Sequence, residues 1–142
     1  MTMLLNQVIT GALANQLSAV VQLRGPAGRV RPTNLGVQFN LTYGSGGTTI
    51  DAYLQTSLDA GATWVDIINF HATTANLKNV YNLSSATVVT TAVVPTDGAL
   101  AANTAKDGIV GSHYRIKWTS TGTYAGGTTL RIDVNTDGMT AQ

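Results

Sequence analysis

The sequence contains no cysteine and no glutamate, and only 11% of its 142 residues are charged, whereas soluble domains have about 25%. The absence of cysteine excludes disulfide bonds, thiolate zinc sites, iron–sulfur clusters and a cysteine nucleophile, and it leaves the redox compartment undetermined. The few charges nearly cancel, since eight Lys and Arg stand against seven Asp. Neutral polar groups must therefore cover most of the surface, and threonine, with 22 copies, supplies many of them.

Strong helix formers are also scarce, because glutamate is missing and lysine occurs only three times. Threonine and valine favour strands, whereas glycine and asparagine favour turns. The composition therefore predicts an all-β protein, and the length predicts a single domain over residues 1–142. A chain of this size buries roughly 68–70% of the surface that its unfolded form exposes, which is enough for a core without a metal or other cofactor.

The first 15 residues lack the pattern of a cleaved secretion signal. No Lys or Arg precedes Arg24, and Asn6 and Gln7 interrupt the apolar stretch that such a signal requires. We therefore interpret residues 1–15 as an N-terminal arm or a first strand. No window approaches 18 uninterrupted apolar residues, so we expect neither a membrane-spanning helix nor a membrane partner.

Apolar and polar residues alternate along much of the chain, which is typical of half-buried strands. The alternation is found in residues 17–23, 37–43, 50–54, 114–118 and 130–134. The last two stretches are separated by a glycine-bearing segment, 120–127, that suits a hairpin. If the two strands pair, they place Arg115, Lys117, Arg131 and Asp133 together on one solvated face.

Three stretches depart from this alternation. Residues 86–94 are almost continuously apolar or β-branched, which predicts a strand covered on both faces by its own fold or by a partner. Residues 96–108 have the composition for one or two helical turns, and residues 71–79 are polar and irregular. The remaining pattern gives about eight or nine strands and predicts an antiparallel jelly roll or related β-sandwich of about eight strands.

One short motif stands out. Ser57, Asp59, Gly61, Thr63 and Trp64 fit every specified position of the Asp-box pattern, Ser/Thr-x-Asp-x-Gly-x-Thr/Ser-Trp. Its physical basis is a tight hairpin in which the aspartate accepts hydrogen bonds from turn amides, the glycine takes positive φ and the tryptophan folds over the turn. Sialidases carry several copies, but their active sites also need an arginine cluster and a Tyr–carboxylate pair. With one copy and no glutamate, the motif is interpreted here as structural.

The other polar residues do not form a recognisable catalytic set. Six aspartates have structural interpretations, because three precede glycine as turn residues do and three occupy outward positions of predicted strands. In that order they are Asp97, Asp107, Asp137, Asp51, Asp66 and Asp133. His71 and His113 are too few for a metal site, and no Gly-x-Ser-x-Gly elbow is present, although linear order leaves a Ser-His-Asp triad open. We expect no enzymatic activity and no metal.

Three arginines lie close together in the segment Arg24-Gly-Pro-Ala-Gly-Arg29-Val-Arg31-Pro32. Three guanidinium groups without nearby acidic residues can bind carboxylates or phosphates through paired hydrogen bonds. The alternative is a solvated loop without a partner. Because a nucleic-acid site normally adds a broader basic field and exposed stacking rings, we do not expect nucleic acid and favour a protein partner with an acidic rim.

Two longer stretches, residues 53–70 and 107–133, contain the phrases Asp-Ala-Gly-Ala-Thr-Trp-Val-Asp and His-Tyr-Arg-Ile-Lys-Trp. In style and in such local phrases, roughly residues 50–136 resemble small β-sandwich virion proteins of tailed bacteriophages. The resemblance implies a structural component of the virion, foremost a head decoration or cement protein that binds and stabilises the shell of major capsid protein. A tail or neck component is also open. No catalytic residues are carried over.

A cement protein has to be compact and poor in long charged side chains, whose immobilisation costs conformational entropy. The neutral surface expected here meets that requirement. The uncharged segments 1–23 and 86–94 are our candidates for strand exchange or edge pairing with a neighbour, in a homo-oligomer such as a dimer or trimer.

The alternative function is a carbohydrate- or receptor-binding β-sandwich module of a phage tail or tail fibre. It would use Trp64, Trp118, Tyr53 and Tyr124 as a platform on which sugars stack. This alternative requires all four rings to line one open groove. The alternation of Trp118 with Ile116 instead predicts that Trp118 belongs to the core.

Overall fold

The computed structural model describes residues 1–25, 27, 29 and 31–137, and these residues form an all-β fold. Pro26, Gly28 and Val30 of the arginine segment lie outside the described residues, as does Gly138, which follows Asp137 in the expected turn. The strands are β1 (Thr2–Val8), β2 (Gln16–Leu17), β3 (Val21–Gln22), β4 (Asn34–Thr42), β5 (Ser45–Gly46), β6 (Thr49–Ser57), β7 (Val65–Ala72), β8 (Leu77–Ser84), β9 (His113–Thr121), β10 (Tyr124–Ala125) and β11 (Thr129–Thr136).

The strands form two main antiparallel sheets that pack face to face. The first sheet has the order β1-β11-β4-β8, and the second has the order β2-β9-β6-β7 with β3 also paired to β9. Since β2 and β3 pair with the same strand, they act as one interrupted edge strand. Eight strands in this order have the topology of a jelly roll, so the predicted antiparallel β-sandwich is confirmed.

The inward-facing apolar side chains of the four central strands fill the space between the sheets. The apolar positions predicted in β4, β6, β9 and β11 are buried: Val37, Phe39, Leu41, Ile50, Ala52, Leu54, Tyr114, Ile116, Trp118, Leu130, Ile132 and Val134. Phe39 of the first sheet stacks on Phe70 of the second with 5.2 Å between ring centroids, and Tyr81 meets Phe39 edge-on at 5.8 Å. Burial of a side chain of this size contributes roughly 1.5–3 kcal/mol.

The predicted hairpin between residues 114–118 and 130–134 is wrong. β9 pairs with β6, β2 and β3, whereas β11 pairs with β1 and β4 in the other sheet. The segment between them crosses from one sheet to the other, and its β10 pairs with β5. The outward faces of β9 and β11 therefore lie on opposite sides of the sandwich, and Arg131 bonds Asp133 of its own strand at 2.8 Å.

The alternation predicted through residues 17–23 is interrupted. The Ser18 amide donates to Ile116 O at 2.9 Å, but the Ile116 amide donates to Ser18 Oγ at 2.8 Å, so a side chain takes the place of the backbone acceptor in the ladder. The strand breaks between β2 and β3 as a result. Leu17 is 54% exposed, contrary to the prediction, whereas Leu23 is buried as expected.

Within the protein's own fold, residues 86–94 form no strand and residues 96–108 form no helical turn. The expected helical turns are therefore wrong and the strand covered by its own fold is absent, whereas a strand covered by a partner stays a prediction. Residues 85–112, all of them described, connect β8 to β9 through turns, extended chain and one isolated bridge between Ala105 and Ile68. The protein's own fold leaves both ends of the 86–94 stretch uncovered, since Val88 is 81% and Val94 is 77% exposed. Residues 71–79 are more regular than expected, because β7 ends and β8 begins within them.

Candidate functional site

The Asp-box motif forms the hairpin between β6 and β7. Asp59 Oδ1 accepts hydrogen bonds from Ser57 Oγ at 2.7 Å and Thr63 N at 2.8 Å, and its Oδ2 accepts one from Thr63 Oγ1 at 2.6 Å. The hydrogen bonds from Thr63 and Ser57 lower the pKa of Asp59 to about 2. Gly61 takes a φ of +94°, and its amide donates to Ser57 Oγ at 2.8 Å. The motif thus satisfies its own polar groups, as a stabilising turn does.

Trp64, the last residue of the motif, is covered by a guanidinium group. The Arg115 Cζ atom lies 4.3 Å from the Trp64 ring centroid, which is a cation–π contact. Arg115 Nε also donates to Gln55 Oε1 at 2.7 Å. The Gln55 amide nitrogen donates in turn to Asp66 Oδ1 and Asp97 Oδ1, each at 2.7 Å. One network therefore runs from the hairpin across the outward face of the second sheet.

Asp66 is completely buried under the connection between β8 and β9, although its outward position on β7 predicted a solvated side chain. Its carboxylate accepts hydrogen bonds at 2.8 to 3.3 Å from Thr96 Oγ1 and from the backbone amides of Gly98, Ala99 and Leu100. Successive amides that converge on one anion form a favourable site for a negative charge. The carboxylate thereby fastens the connection to the sheet.

The neighbouring charges on this face are paired. Lys117 Nζ lies 3.0 Å and the Arg115 terminal nitrogen 3.7 Å from Asp97 Oδ1. Hydrogen bonds from Gln55, and then from Lys117, lower the pKa of Asp97. Arg115 and Lys117 keep only 15% and 16% of their side-chain surface exposed, so the face expected to be solvated is largely covered.

Asp107 fastens the other part of the same connection. Its Oδ1 accepts hydrogen bonds from the Ser84 and Gly108 amides at 2.7 and 2.8 Å, and its Oδ2 accepts one from Thr87 Oγ1 at 2.8 Å. The Ser84 amide is the main cause of a lowered pKa of Asp107, followed by Thr87. The connection is thus held to β8 at one place and to β7 at another.

The two histidines lie in separate pairs. His71 Nδ1 is 2.8 Å from Asp51 Oδ1, because the two residues are opposite each other on β7 and β6. His113 Nδ1 is 2.8 Å from Ser112 Oγ. Within the described part of the chain, neither histidine bonds both a serine and an aspartate, and no three His, Cys, Asp or Glu side chains are grouped as metal ligands.

The three arginines of the candidate partner site are all exposed on the connection from β3 to β4. The Gly25 amide donates to Arg29 O at 3.0 Å, Thr136 Oγ1 donates to Arg24 O at 3.3 Å, and Arg31 reaches Val110 O at 3.5 Å. None of the ion pairs between described residues involves these guanidinium groups. The structure therefore brings the three positive charges to one loop, where no carboxylate of the described residues forms an ion pair with them.

The four aromatic residues of the proposed sugar platform are divided. Trp118 is buried in the core, as the alternation predicted, and Tyr124 is fully buried with its hydroxyl donating to Thr73 O at 2.9 Å. Tyr53 and Trp64 are half-buried on the outward face of the second sheet. The four rings do not line one groove, so the condition set for that platform is not met.

A groove of about 390 Å³ opens between the edge strands β1 and β2. Its lining includes Leu5 and Gln7 from β1, Leu17 from β2, and Trp118 at the end of the core. Met3 and Leu17 border the groove and are 51% and 54% exposed. No Lys, Arg or Asp precedes Arg24, so the two edge strands border the groove with uncharged and partly apolar side chains.

Comparisons with protein-family models, curated proteins and solved structures found no significant match to the chain. Among the described residues, no helix is long and apolar enough to cross a membrane.

Proposed function

We propose that the protein is a non-enzymatic structural component of a tailed-phage virion, a head decoration or cement protein that binds and stabilises the shell of major capsid protein. The particle class comes from the resemblance of residues 50–136 to small virion β-sandwiches. The jelly roll is compatible with this role, since viral capsid domains use it, but lectin domains use it as well. The surface must therefore carry the functional proposal.

The observation that carries the proposal is the exposed loop with Arg24, Arg29 and Arg31. In a chain with only eight basic residues, three are on one loop and none of them is ion-paired to a described carboxylate. Guanidinium groups in such a position suit carboxylates on the surface of another protein. We assign this loop to the contact with an acidic rim of the capsid shell.

The uncharged edge strand β1 gives further support. Soluble β-proteins commonly protect edge strands with charged residues or proline, and β1 has neither. Apolar side chains such as Met3 and Leu17 remain exposed beside the groove. A surface of this kind is expected where a protein contacts neighbouring subunits in an assembly.

The proposal is tested by sedimenting the purified protein with heads of the phage that encodes it, after the heads have been stripped of the protein. Changing Arg24, Arg29 and Arg31 to Ala removes three charge-assisted contacts of about 1 kcal/mol each, which corresponds to a loss of about 100-fold in affinity. Binding of the unchanged protein should also weaken as salt is raised.

The matched control changes Lys78 to Glu and Lys106 to Ala, which lowers the net charge by three, as the triple arginine variant does, and leaves both the loop and the ion pairs between described residues intact. It should bind heads like the unchanged protein, and both variants should unfold at nearly the unchanged temperature. Equal loss of binding in both variants would reduce the loop to a contributor of net charge. Binding to a glycan array without any binding to heads would instead support the carbohydrate-binding alternative.

A further inference from the structure

Residues 88–95 are a strand-forming segment without a sheet. Within the described part of the chain they form no hydrogen bond, either through the backbone or through side chains. Six of the seven residues from 88 to 94 are Val or Thr, which favour strands. Val88 and Val94 are the most exposed large apolar residues of the fold. We call residues 88–94 the donor segment.

The donor segment is held at both ends. On one side, Thr87 Oγ1 bonds the Asp107 carboxylate, and on the other side Thr96 bonds Asp66 through its hydroxyl and accepts a hydrogen bond from the Asp66 amide at 3.0 Å. The ends of the segment are therefore fixed to the sandwich while its own backbone groups stay open. Because both ends are fixed in the monomer, the segment loses less conformational entropy when it forms a strand with a partner.

The same chain offers an edge with matching properties. β1 (Thr2–Val8) has seven residues, as the donor segment has, and each spans about 23 Å when extended. β1 pairs with β11 on one side, and no strand of the described residues pairs with its other side. Neither β1 nor the donor segment contains a charged side chain. Pairing the two therefore places no charged side chain of either strand in the contact.

Each face of an added strand would meet at least one apolar side chain at this edge, beside neutral polar ones. One face would lie over the groove beside Leu5 and Gln7, and the other would continue the outward face next to Val8. The position therefore favours a strand with uncharged, apolar or β-branched residues on both faces, whereas an ordinary surface strand carries polar residues on one face. Every residue of the donor segment is Val, Thr or Ala, so both of its faces suit this position, whichever face points to the groove.

The two surfaces cannot meet within one molecule. β1 lies at one edge of the first sheet and β8 at the other, so their axes are about 14 Å apart. The donor segment runs on the far side, between its anchors on β8 and β7. We propose that residues 88–94 of one molecule add as a strand to β1 of a second copy of this chain, which is a β-augmentation contact between two different surfaces.

Self-association is measured on the purified full chain by sedimentation velocity over micromolar to millimolar concentrations. Thr90→Pro with Thr91→Pro removes amide donors from both sides of the donor segment and should give a monomer. Thr90→Ala with Thr91→Ala, which keeps both amides, is the matched control and should associate like the unchanged chain. Because residues 90 and 91 form no hydrogen bond in the monomer, thermal unfolding should be nearly unchanged in both variants.

A mixing experiment distinguishes this contact from pairing between identical edges. Met3→Lys with Val8→Lys places charges on the β1 edge and should also give a monomer. When this variant is mixed with the double-proline variant, one contributes an intact donor segment and the other an intact β1, so a 1:1 complex should form. Amide exchange in residues 88–94 of the lysine variant should then slow at least tenfold.

Three results would overturn the proposal: a monomeric unchanged chain at every concentration, association of the double-proline variant equal to that of the alanine control, or no complex in the mixture. None of these measurements involves phage heads, so self-association can fail while head binding holds, and the reverse can also occur.

Discussion

Removal of the Asp66 carboxylate should loosen the connection between β8 and β9 without unfolding the sandwich at once. In Asp66→Ala, four donors of the connection lose their acceptor: the Thr96 hydroxyl and the amides of Gly98, Ala99 and Leu100. A hydrogen bond contributes about 1 kcal/mol net, and the Leu100 bond is long at 3.3 Å. We therefore expect the free energy of unfolding to fall by about 3 kcal/mol, which lowers the Tm by about 10 °C.

The control for this prediction is Asp51→Ala, which removes an aspartate from the same face of the second sheet. Asp51 pairs with His71, and both side chains are 31% exposed. Half-exposed pairs of this kind contribute about 0–1 kcal/mol, so its Tm should change by no more than about 3 °C. The comparison isolates the buried hydrogen bonds from the loss of one negative charge.

The measurements are thermal and urea unfolding, together with amide exchange at residues 98–100. Those three amides should exchange faster in Asp66→Ala and in Asp66→Asn, because the amide group of Asn presents donors where acceptors are needed. Equal Tm values for Asp66→Ala and Asp51→Ala, or unchanged exchange at these residues, would contradict the interpretation of Asp66 as the fastening point.

Two other variants follow from the same structure. Hydrogen bonds lower the pKa of Asp59 to about 2 from an ordinary 3.8. The stabilising effect of its carboxylate is therefore complete above about pH 4 and is lost as the pH falls towards 2. In calorimetry, the Tm difference between the unchanged protein and Asp59→Asn should shrink over that range. Gly111→Ala places a Cβ against the Ser57 carbonyl oxygen and should lower the free energy of unfolding in urea by about 1–3 kcal/mol. Gly11→Ala, whose Cβ has no atom within 4 Å, should leave that free energy unchanged. Equal losses of stability in the two variants would refute the steric explanation.

The side chains that fill the core were predictable from local pattern. Phe39, Leu54, Ile116 and Ile132 are each on the apolar side of an alternating stretch, and in the structure each is buried. Alternation depends only on neighbours in the chain, so it reports which face is inside. It does not report which strand lies alongside, and this is why β9 and β11 were predicted as a hairpin although they belong to different sheets.

The candidate sites show the same limit. The Asp-box residues and the three arginines are close in sequence, so the sequence alone shows that each set lies together. The burial of Asp66 depends on residues about 30 positions away, so its neighbours in sequence gave no indication of it. The Asp-Gly pair at 97–98 was a usable signal, since Gly98 takes a φ of +83° and turns its amide towards the carboxylate. Nothing in that signal named Asp66 as the acceptor.

The pairing of β1 with β11 has a consequence for biosynthesis. Thr2 lies opposite Val134, so the first sheet cannot close until the residues through β11 have left the ribosome. At about 5–20 residues per second, β1 waits on the order of ten seconds for its partner. During that interval an uncharged and partly apolar strand is open to other nascent chains. Closure of the first sheet is therefore a late step of folding, and chaperones can bind the open strand before it.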